Sequence, residues 1–357
     1  MPFCYNRRMK REIHVGDVGI GGNHPVSIQS MTSTPTTDIQ ASLAQIQALK
    51  NAGCQIIRVA VPDSPSLNAF RRIVRKSPLP VIADIHFDAG LALKSIDAGA
   101  RGIRINPGNI GGKKNLREII RLANQRSIPI RIGVNTGSIE KKYRGTNYSR
   151  VEALVNSALD FIGFFEDNDF FNMKISIKSS DVRETIQAYR LLDKKCDYPL
   201  HLGITEAGTL FPGTVKSAIG IGSLLADGIG NTIRVSLTDS PLQEIRVAKE
   251  ILNALGLRKD HIELISCPTC SRTTVDLIAI VEEVEKQIAG LKPGRRIKVA
   301  VMGCEVNGPG EAMDADIGLA FSKNYGYIFQ NGTLREKLPP NQARDRLVEL
   351  IQQLIKP

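Results

Sequence analysis

Residues 56–87 read IIRVAVPDSPSLNAFRRIVRKSPLPVIADIHF and hold one complete strand–helix–strand unit. IIRVAVP (56–62) and PVIADIHF (80–87) are short β-rich runs, and SLNAFRRIVRKS between them carries apolar residues at helical spacing,. Strands that alternate with helices of this length predict a parallel sheet built from βαβ units.

Outward from this unit the pattern repeats. Further strand runs are VSIQSM (26–31), GIRINPG (102–108), IRIGVN (130–135), MKISIKS (173–179), LHLGITEAG (200–208) and NTIRVSLTD (231–239). Helical stretches separate them, among them ASLAQIQALKNAG, KNLREIIRLANQR and VRETIQAYRLLDKK, and LQEIRVAKEILNALG follows the last strand; several end at Gly, a usual helix stop,. Eight strand–helix pairs are the number that closes a (β/α)8 TIM barrel, and they favour it over an open doubly wound sheet. After LRKDH (257–261) the texture changes. A helix over TVDLIAIVEEVEKQIAG, a strand in RRIKVAVMG, a small sheet with an Asn-Gly turn and a closing helix, RDRLVELIQQLI, predict a smaller α+β domain. The expected division is a barrel over 1–258 and a second domain over 259–357.

Active sites of such barrels gather at the C-terminal ends of the strands. Read in order, those ends carry Arg58; Asp84 and His86; Arg104 and Asn106; Arg131 and Asn135; Lys178; Thr205 and Glu206; and Arg234 with Ser236. Five cations, Arg58, Arg104, Arg131, Lys178 and Arg234, converge on one mouth with few acids among them. Burying that much charge is costly unless an anion fills the site, and Arg suits bidentate contact with phosphate. A substrate with more than one phosphate is the expected partner; a set of internal salt bridges is the bland alternative. Glu206 among the cations is the better acid–base candidate, ahead of His86 and His201.

The six cysteines are sparse, unlike the dense framework of a small disulfide-bonded domain,. Cys4, Cys54 and Cys196 stand alone. Cys267 and Cys270 form a C-x-x-C pair in ISCPTCSR, and Cys304 lies in VMGCEVNGPGEA (301–312), a run that Gly and Pro punctuate too heavily for an ordinary helix or strand,. Three clustered thiols with Glu305 and Glu311 nearby leave an iron–sulfur cluster, a zinc site and a redox dithiol open.

The formal charge of +11 invites a nucleic-acid reading, but no long Lys/Arg tract and no RNA-binding signature with interleaved aromatics is present,. An anionic small substrate or an acidic protein partner accounts for the basic balance. No apolar run approaches the roughly 18 residues of a membrane span, and the basic N-terminus lacks the apolar segment of a signal peptide. The expectation is a cytoplasmic protein that binds neither nucleic acid nor membrane.

The motifs IQSMTS (28–33), ADIHF (83–87), RINPGN (104–109), GVNTGS (133–138), CPTCSR (267–272) and MGCEVNGPGEA (302–312) together resemble the 4-hydroxy-3-methylbut-2-enyl diphosphate synthase (IspG) family. The resemblance covers essentially the whole chain. It implies a [4Fe–4S] cluster held by Cys267, Cys270, Cys304 and Glu311, which makes the second domain an iron–sulfur domain. It implies substrate contacts at Arg58, Asp84, His86, Arg104, Asn106, Arg131, Asn135, Lys178, Thr205, Arg234, Ser236 and Asn307, and acid–base chemistry at Glu206. The implied reaction is reductive opening and dehydration of 2-C-methyl-D-erythritol 2,4-cyclodiphosphate, driven by reduced flavodoxin or ferredoxin. Helix 8, near 241–255, returns to the face of the barrel opposite the mouth, so a head-to-tail homodimer is expected, one subunit's cluster covering the other's barrel.

Overall fold

The computed structural model describes residues 9–139, 141–143, 148–306 and 308–355. It divides into two compact units, one ending at Leu255 and the other starting at Gly256. Among the described residues no helix is long and apolar enough to cross a membrane.

The first unit opens with a hairpin of β1 (Ile13–Val15) and β2 (Val18–Ile20). Strand alternation turns Ile13 and Val15 inward and His14 outward,. The inward residues pack with Ile20, Ile56 and Ile82. Ile56 opens its strand and Ile82 lies near the start of the next, so the hairpin plugs the base of the barrel.

Eight parallel strands follow: β3 (Ser27–Met31), β4 (Ile56–Ala60), β5 (Val81–Asp84), β6 (Gly102–Ile105), β7 (Ile130–Asn135), β8 (Met173–Lys178), β9 (His201–Leu202) and β10 (Thr232–Ile233). Their order is β8-β7-β6-β5-β4-β3-β10-β9, and a bridge from Ile175 to Leu200 joins the two ends into a barrel. The helices are α1 (Ile39–Ala52), α2 (Ser64–Lys76), α3 (Ala89–Asp97), α4 (Lys113–Gln125), α5 (Arg150–Glu166), α6 (Val182–Asp193), α7 (Leu210–Ala226) and α8 (Pro241–Ala254). Local signals set their limits. Asp38 caps α1 at the Ala41 amide, and Gly53, at φ 106°, stops it,. Ser149 and Glu152 form a reciprocal capping box on α5,. The face of α4 that meets the sheet is Leu116, Ile119, Ile120 and Ala123, spaced as a helix requires,.

All eight expected strands are present, but the last two are shorter than their apolar runs. Past Leu202 and Ile233 the backbones leave the ladder, although the Arg234 amide still donates to the Leu202 carbonyl at 3.0 Å. They crowd at Gly203, where a Cβ would stand 2.6 Å from the Arg234 carbonyl oxygen. The polar residues 204–206 and 234–236 therefore lie on loops rather than in strands.

The second unit contains β11 (Ile262–Ser266), α9 (Leu277–Ile288), β12 (Ile297–Met302), α10 (Gly308–Met313), β13 (Ile317–Phe321), β14 (Gly326–Gln330), β15 (Thr333–Leu338) and α11 (Pro340–Ile355). The sheet order follows the chain; β11, β12 and β13 are parallel, and β14 and β15 run antiparallel. One face buries Val299, Leu319 and Ile328 against Leu277, Val284 and Leu347 of α9 and α11. The other packs Ala300, Met302 and Ala320 with Ala312. Gly318 makes that approach possible, since a Cβ there would lie 2.5 Å from the Ala312 carbonyl oxygen. Asn331 and Gly332, at φ 48° and 79°, form the expected turn between β14 and β15,.

The segment before the C-x-x-C pair, left unassigned above, is a strand, β11. One expectation changes. The stretch 301–312 is not wholly irregular, because it ends β12 and then starts α10, whose first turn tolerates Pro309,.

Candidate active site

Strand register brings charge together inside the barrel. The Cα partners Asp84–Arg104, Arg104–Arg131 and Arg131–Lys174 run across four neighbouring strands. Strand stagger makes this row descend. Asp84 is the last residue of β5, while Arg131 and Lys174 are second in β7 and β8. Arg131 is thus not at its strand's C-terminal end, as the sequence suggested. It starts low in the barrel and is 4 % exposed.

Asp84 is the hub. Arg58 Nε lies 3.6 Å and Arg104 Nη1 3.3 Å from its Oδ1, and His86 Nε2 lies 3.2 Å from its Oδ2. Burial alone would raise the Asp84 carboxyl. The charge of Arg58, the bond from His86 and the charge of Arg104 outweigh it and hold the group well below the usual carboxylate range,. Arg104 Nη1 also stands 2.9 Å from His86 Nε2. Arg58 turns its Nε and Nη2 toward Met31 Sδ, at 3.3 and 3.1 Å, a weak acceptor for a cation,.

A second acid sits behind the mouth. Glu244 of α8 accepts from Arg234 Nη2 at 3.1 Å, from the Leu237 amide at 3.0 Å and from Ser30 Oγ at 3.2 Å. Burial raises its carboxyl despite Arg234. Arg234 Nη1 donates to Ser236 Oγ.

Cations remain in excess. Arg104 Nε, Arg131 Nε and Nη1, Lys174 Nζ and Arg234 Nε are buried without a hydrogen-bond acceptor. Burial, then Arg131 and Arg234, push the Lys178 amine well down from the ordinary lysine range, and its ammonium lies over the bare backbone of Gly203. Guanidinium groups stay charged in proteins, so an anion among them relieves their mutual repulsion.

The other mouth residues are less tightly held. Asn106 is buried and its Oδ1 accepts the Gly108 amide at 3.3 Å. Asn135 ends β7 as the register partner of Lys178. Thr205 is half-buried, and Glu206 is exposed at φ 55°, a left-handed conformation unfavourable for this residue and typical of functional loops,. His201 is fully buried; burial, with Arg131, Lys178 and Lys174, holds it neutral, far below the imidazole range, so it is not an acid–base group of the mouth. Asn307 lies outside the described residues.

Lys174 and Glu244 escaped the sequence reading. Lys174 had a signal, because Lys174, Ser176 and Lys178 alternate along one face of β8, whereas Glu244 reaches the site from a helix.

The thiols lie where β11 and β12 end side by side. Ser266 pairs with Val301, which sets Cys267 beside Met302 and close to Cys304. The Gly303 amide donates to Cys267 Sγ at 3.3 Å. Thr274 fixes the same turn, its amide donating to the Gly303 carbonyl at 3.1 Å. Cys270 is exposed, and its thiol is pushed down, chiefly by the Arg272 amide. Cys304 is nearly buried, and Glu311 is exposed on α10. No disulfide links Cys267, Cys270 and Cys304. No three ligand atoms among these cysteines and Glu311 lie within 4.8 Å of one another. A tetrahedral zinc site needs that spacing, since Zn–S is about 2.3 Å. A multi-iron cluster takes each ligand on a different iron and fits a wider set with an amide donor to one sulfur.

Comparison with known proteins decides the family. Residues 10–249 match the GcpE TIM-barrel domain, and residues 263–353 match the GcpE protein C-terminal domain. The chain belongs to the GcpE family. Among GcpE relatives, it is 51 % identical to the 4-hydroxy-3-methylbut-2-en-1-yl diphosphate synthase (flavodoxin) of Geobacter sulfurreducens, covering 97 % of this chain and 98 % of that one. It is 50 % identical to the protein so named from Caldanaerobacter subterraneus subsp. tengcongensis, covering 98 % of each. Among solved structures, the dihydropteroate synthase of Yersinia pestis matches 70 % of this chain and 100 % of its own at a TM-score of 0.51 and 13 % identity. That likeness shows the barrel fold alone.

Proposed function

We propose that this chain converts 2-C-methyl-D-erythritol 2,4-cyclodiphosphate to (E)-4-hydroxy-3-methylbut-2-enyl diphosphate. The reaction takes two electrons, breaks a ring C–O bond and releases water. The observation that carries the reading is end-to-end identity of about half with synthases of that name, joined to a barrel that buries more cations than it pairs.

In this reading Arg58, Arg104, Arg131, Lys178 and Arg234 bind the two phosphates, with Asn106, Asn135, Thr205, Ser236 and Asn307 as neutral contacts. Asp84 and His86 hold Arg58 and Arg104 at fixed angles, supported by the distances around the Asp84 carboxylate. Glu206 moves the proton. Its exposed position on the loop after β9 supports this role.

Cys267, Cys270, Cys304 and Glu311 would hold a [4Fe–4S] cluster. When bound, it supplies electrons one at a time. A hard carboxylate, Glu311, beside three soft thiolates would be the labile member of that set. Flavodoxin is the electron donor, as the relatives' names indicate, and an acidic carrier suits a chain of net charge +11,. A head-to-tail homodimer is part of the same reading; its support is that α8 runs back along the barrel from the mouth and ends at Ala254. A cytoplasmic location completes the reading, supported by the absence of a disulfide among the described cysteines,.

The test is anaerobic turnover of the cyclodiphosphate with reduced flavodoxin, followed by phosphorus NMR, beside iron and sulfide analysis. Conversion by a brown protein with about four iron and four sulfide per chain, both lost in Cys304→Ser, is the expected result. A colourless protein holding one zinc and converting nothing would overturn the reading.

A further inference from the structure

At the base of the barrel, on the hairpin, three side chains outside the proposed active site converge. The geometry points to a divalent transition-metal site, of the zinc class, formed by Glu12, His14 and His24. Their ligand atoms all lie within 4.8 Å of one another, the one such trio among the described residues. His24 Nε2 stands 3.1 Å and His14 Nε2 3.6 Å from Glu12 Oε1. Zn–N and Zn–O bonds near 2.05 Å place tetrahedral ligands about 3.3 Å apart, between those two values.

The backbone is shaped around this trio. Glu12, just before β1, and His14 within it are both exposed, while Ile13 between them is buried,. His24 comes from the segment that leads into β3, and its ring meets His14 edge-on with centroids 5.6 Å apart. The ring lies across Gly19, the cross-strand partner of His14, where a Cβ would stand 2.6 Å from His24 Cδ2. A Cβ at Gly22 would stand 2.9 Å from Glu12 Oε2. Two glycines thus leave room for the imidazole and the carboxylate.

The two cations just before Glu12 in the chain are engaged elsewhere. Lys10 Nζ is taken by Asp193 at 2.8 Å and by the Cys196 carbonyl at 2.7 Å. The Arg11 guanidinium lies over Phe171 and Tyr198. Two imidazoles and one carboxylate select borderline metals such as Zn2+, Co2+ or Ni2+ over Ca2+, which wants more oxygen ligands. Partial exposure leaves the fourth position to water. The bound ion would pin the plug hairpin to the start of the first barrel strand, a structural role independent of the proposed reaction.

The experiment is calorimetric titration of cluster-loaded protein with zinc chloride and, separately, calcium chloride. Wild type should take up one zinc per chain, gain thermal stability with zinc and ignore calcium. His14→Gln and His24→Gln should each weaken zinc binding at least about tenfold, the minimum seen even for a lost outer partner. Both side chains are substantially exposed, so circular dichroism should report a native fold in each variant. No zinc uptake, uptake unchanged in both variants, or equal affinity for calcium would overturn the site.

Discussion

The barrel mouth and the cysteine turn are built on opposite plans. In the barrel, the strand register fixes a row of charged side chains inside the protein, and the cost of burying them is present before any substrate arrives,. In the second unit, Cys270 and Glu311 face solvent and the thiols form no disulfide with one another, so less there is committed in advance. One site is preorganised by its fold; the other takes its final form from what it binds.

That contrast predicts different responses to mutation. The largest effect is expected at the cysteine turn. Cys304→Ser should abolish turnover and iron content while leaving the barrel's substrate affinity intact, measured by calorimetry with the cyclodiphosphate. Loss of both together would break the contrast. Next, Arg131→Met should lower kcat/KM by about 10²-fold, the scale of one buried charge contact of 2–5 kcal/mol, with iron content unchanged. Smaller still, Lys174→Met should raise the stability of the substrate-free protein by about 1–3 kcal/mol in urea denaturation, because it removes a buried amine that has no acceptor,. A destabilised variant would show that Lys174 is solvated or paired in solution.

The smallest effect concerns pH. The folded Asp84 carboxyl lies below its ordinary value of about 3.9,. Its contribution is therefore complete above that value and is lost as pH falls further toward the folded value. Asp84→Asn should flatten the loss of stability as pH falls below about 4. Equal slopes for Asp84→Asn and wild type would remove Asp84 from its place as the charge hub.

Much of this was legible in the sequence. Eight apolar runs separated by amphipathic helices leave few alternatives to a closed barrel, and the charged residues at their ends mark a mouth. Three things were hidden, each for a physical reason. Arg131 looked like a strand-end residue because a list of strands carries no stagger, whereas the register places it low in the barrel. Glu244 was invisible because nothing in the repeat of α8 shows that one helical carboxylate turns inward. Strand β11 was overlooked because IELIS is short and half-buried, next to a conspicuous cysteine pair. At the cysteine turn the donor types were readable, but spacing alone left zinc, iron and a dithiol open. The iron–sulfur cluster proposed there rests on the family.

The barrel's seam has a consequence for how the chain is made. β3 is the first barrel strand to leave the ribosome, yet one of its edges pairs with β10, and nearly the whole barrel sequence lies between them. Until Thr232 and Ile233 emerge, that edge of β3 stays unpaired, with Val26 and Ile28 beside it awaiting burial. Nascent chains that stall before residue 230 would thus expose a sticky strand edge, and a holding chaperone would find its binding site there rather than on the helices.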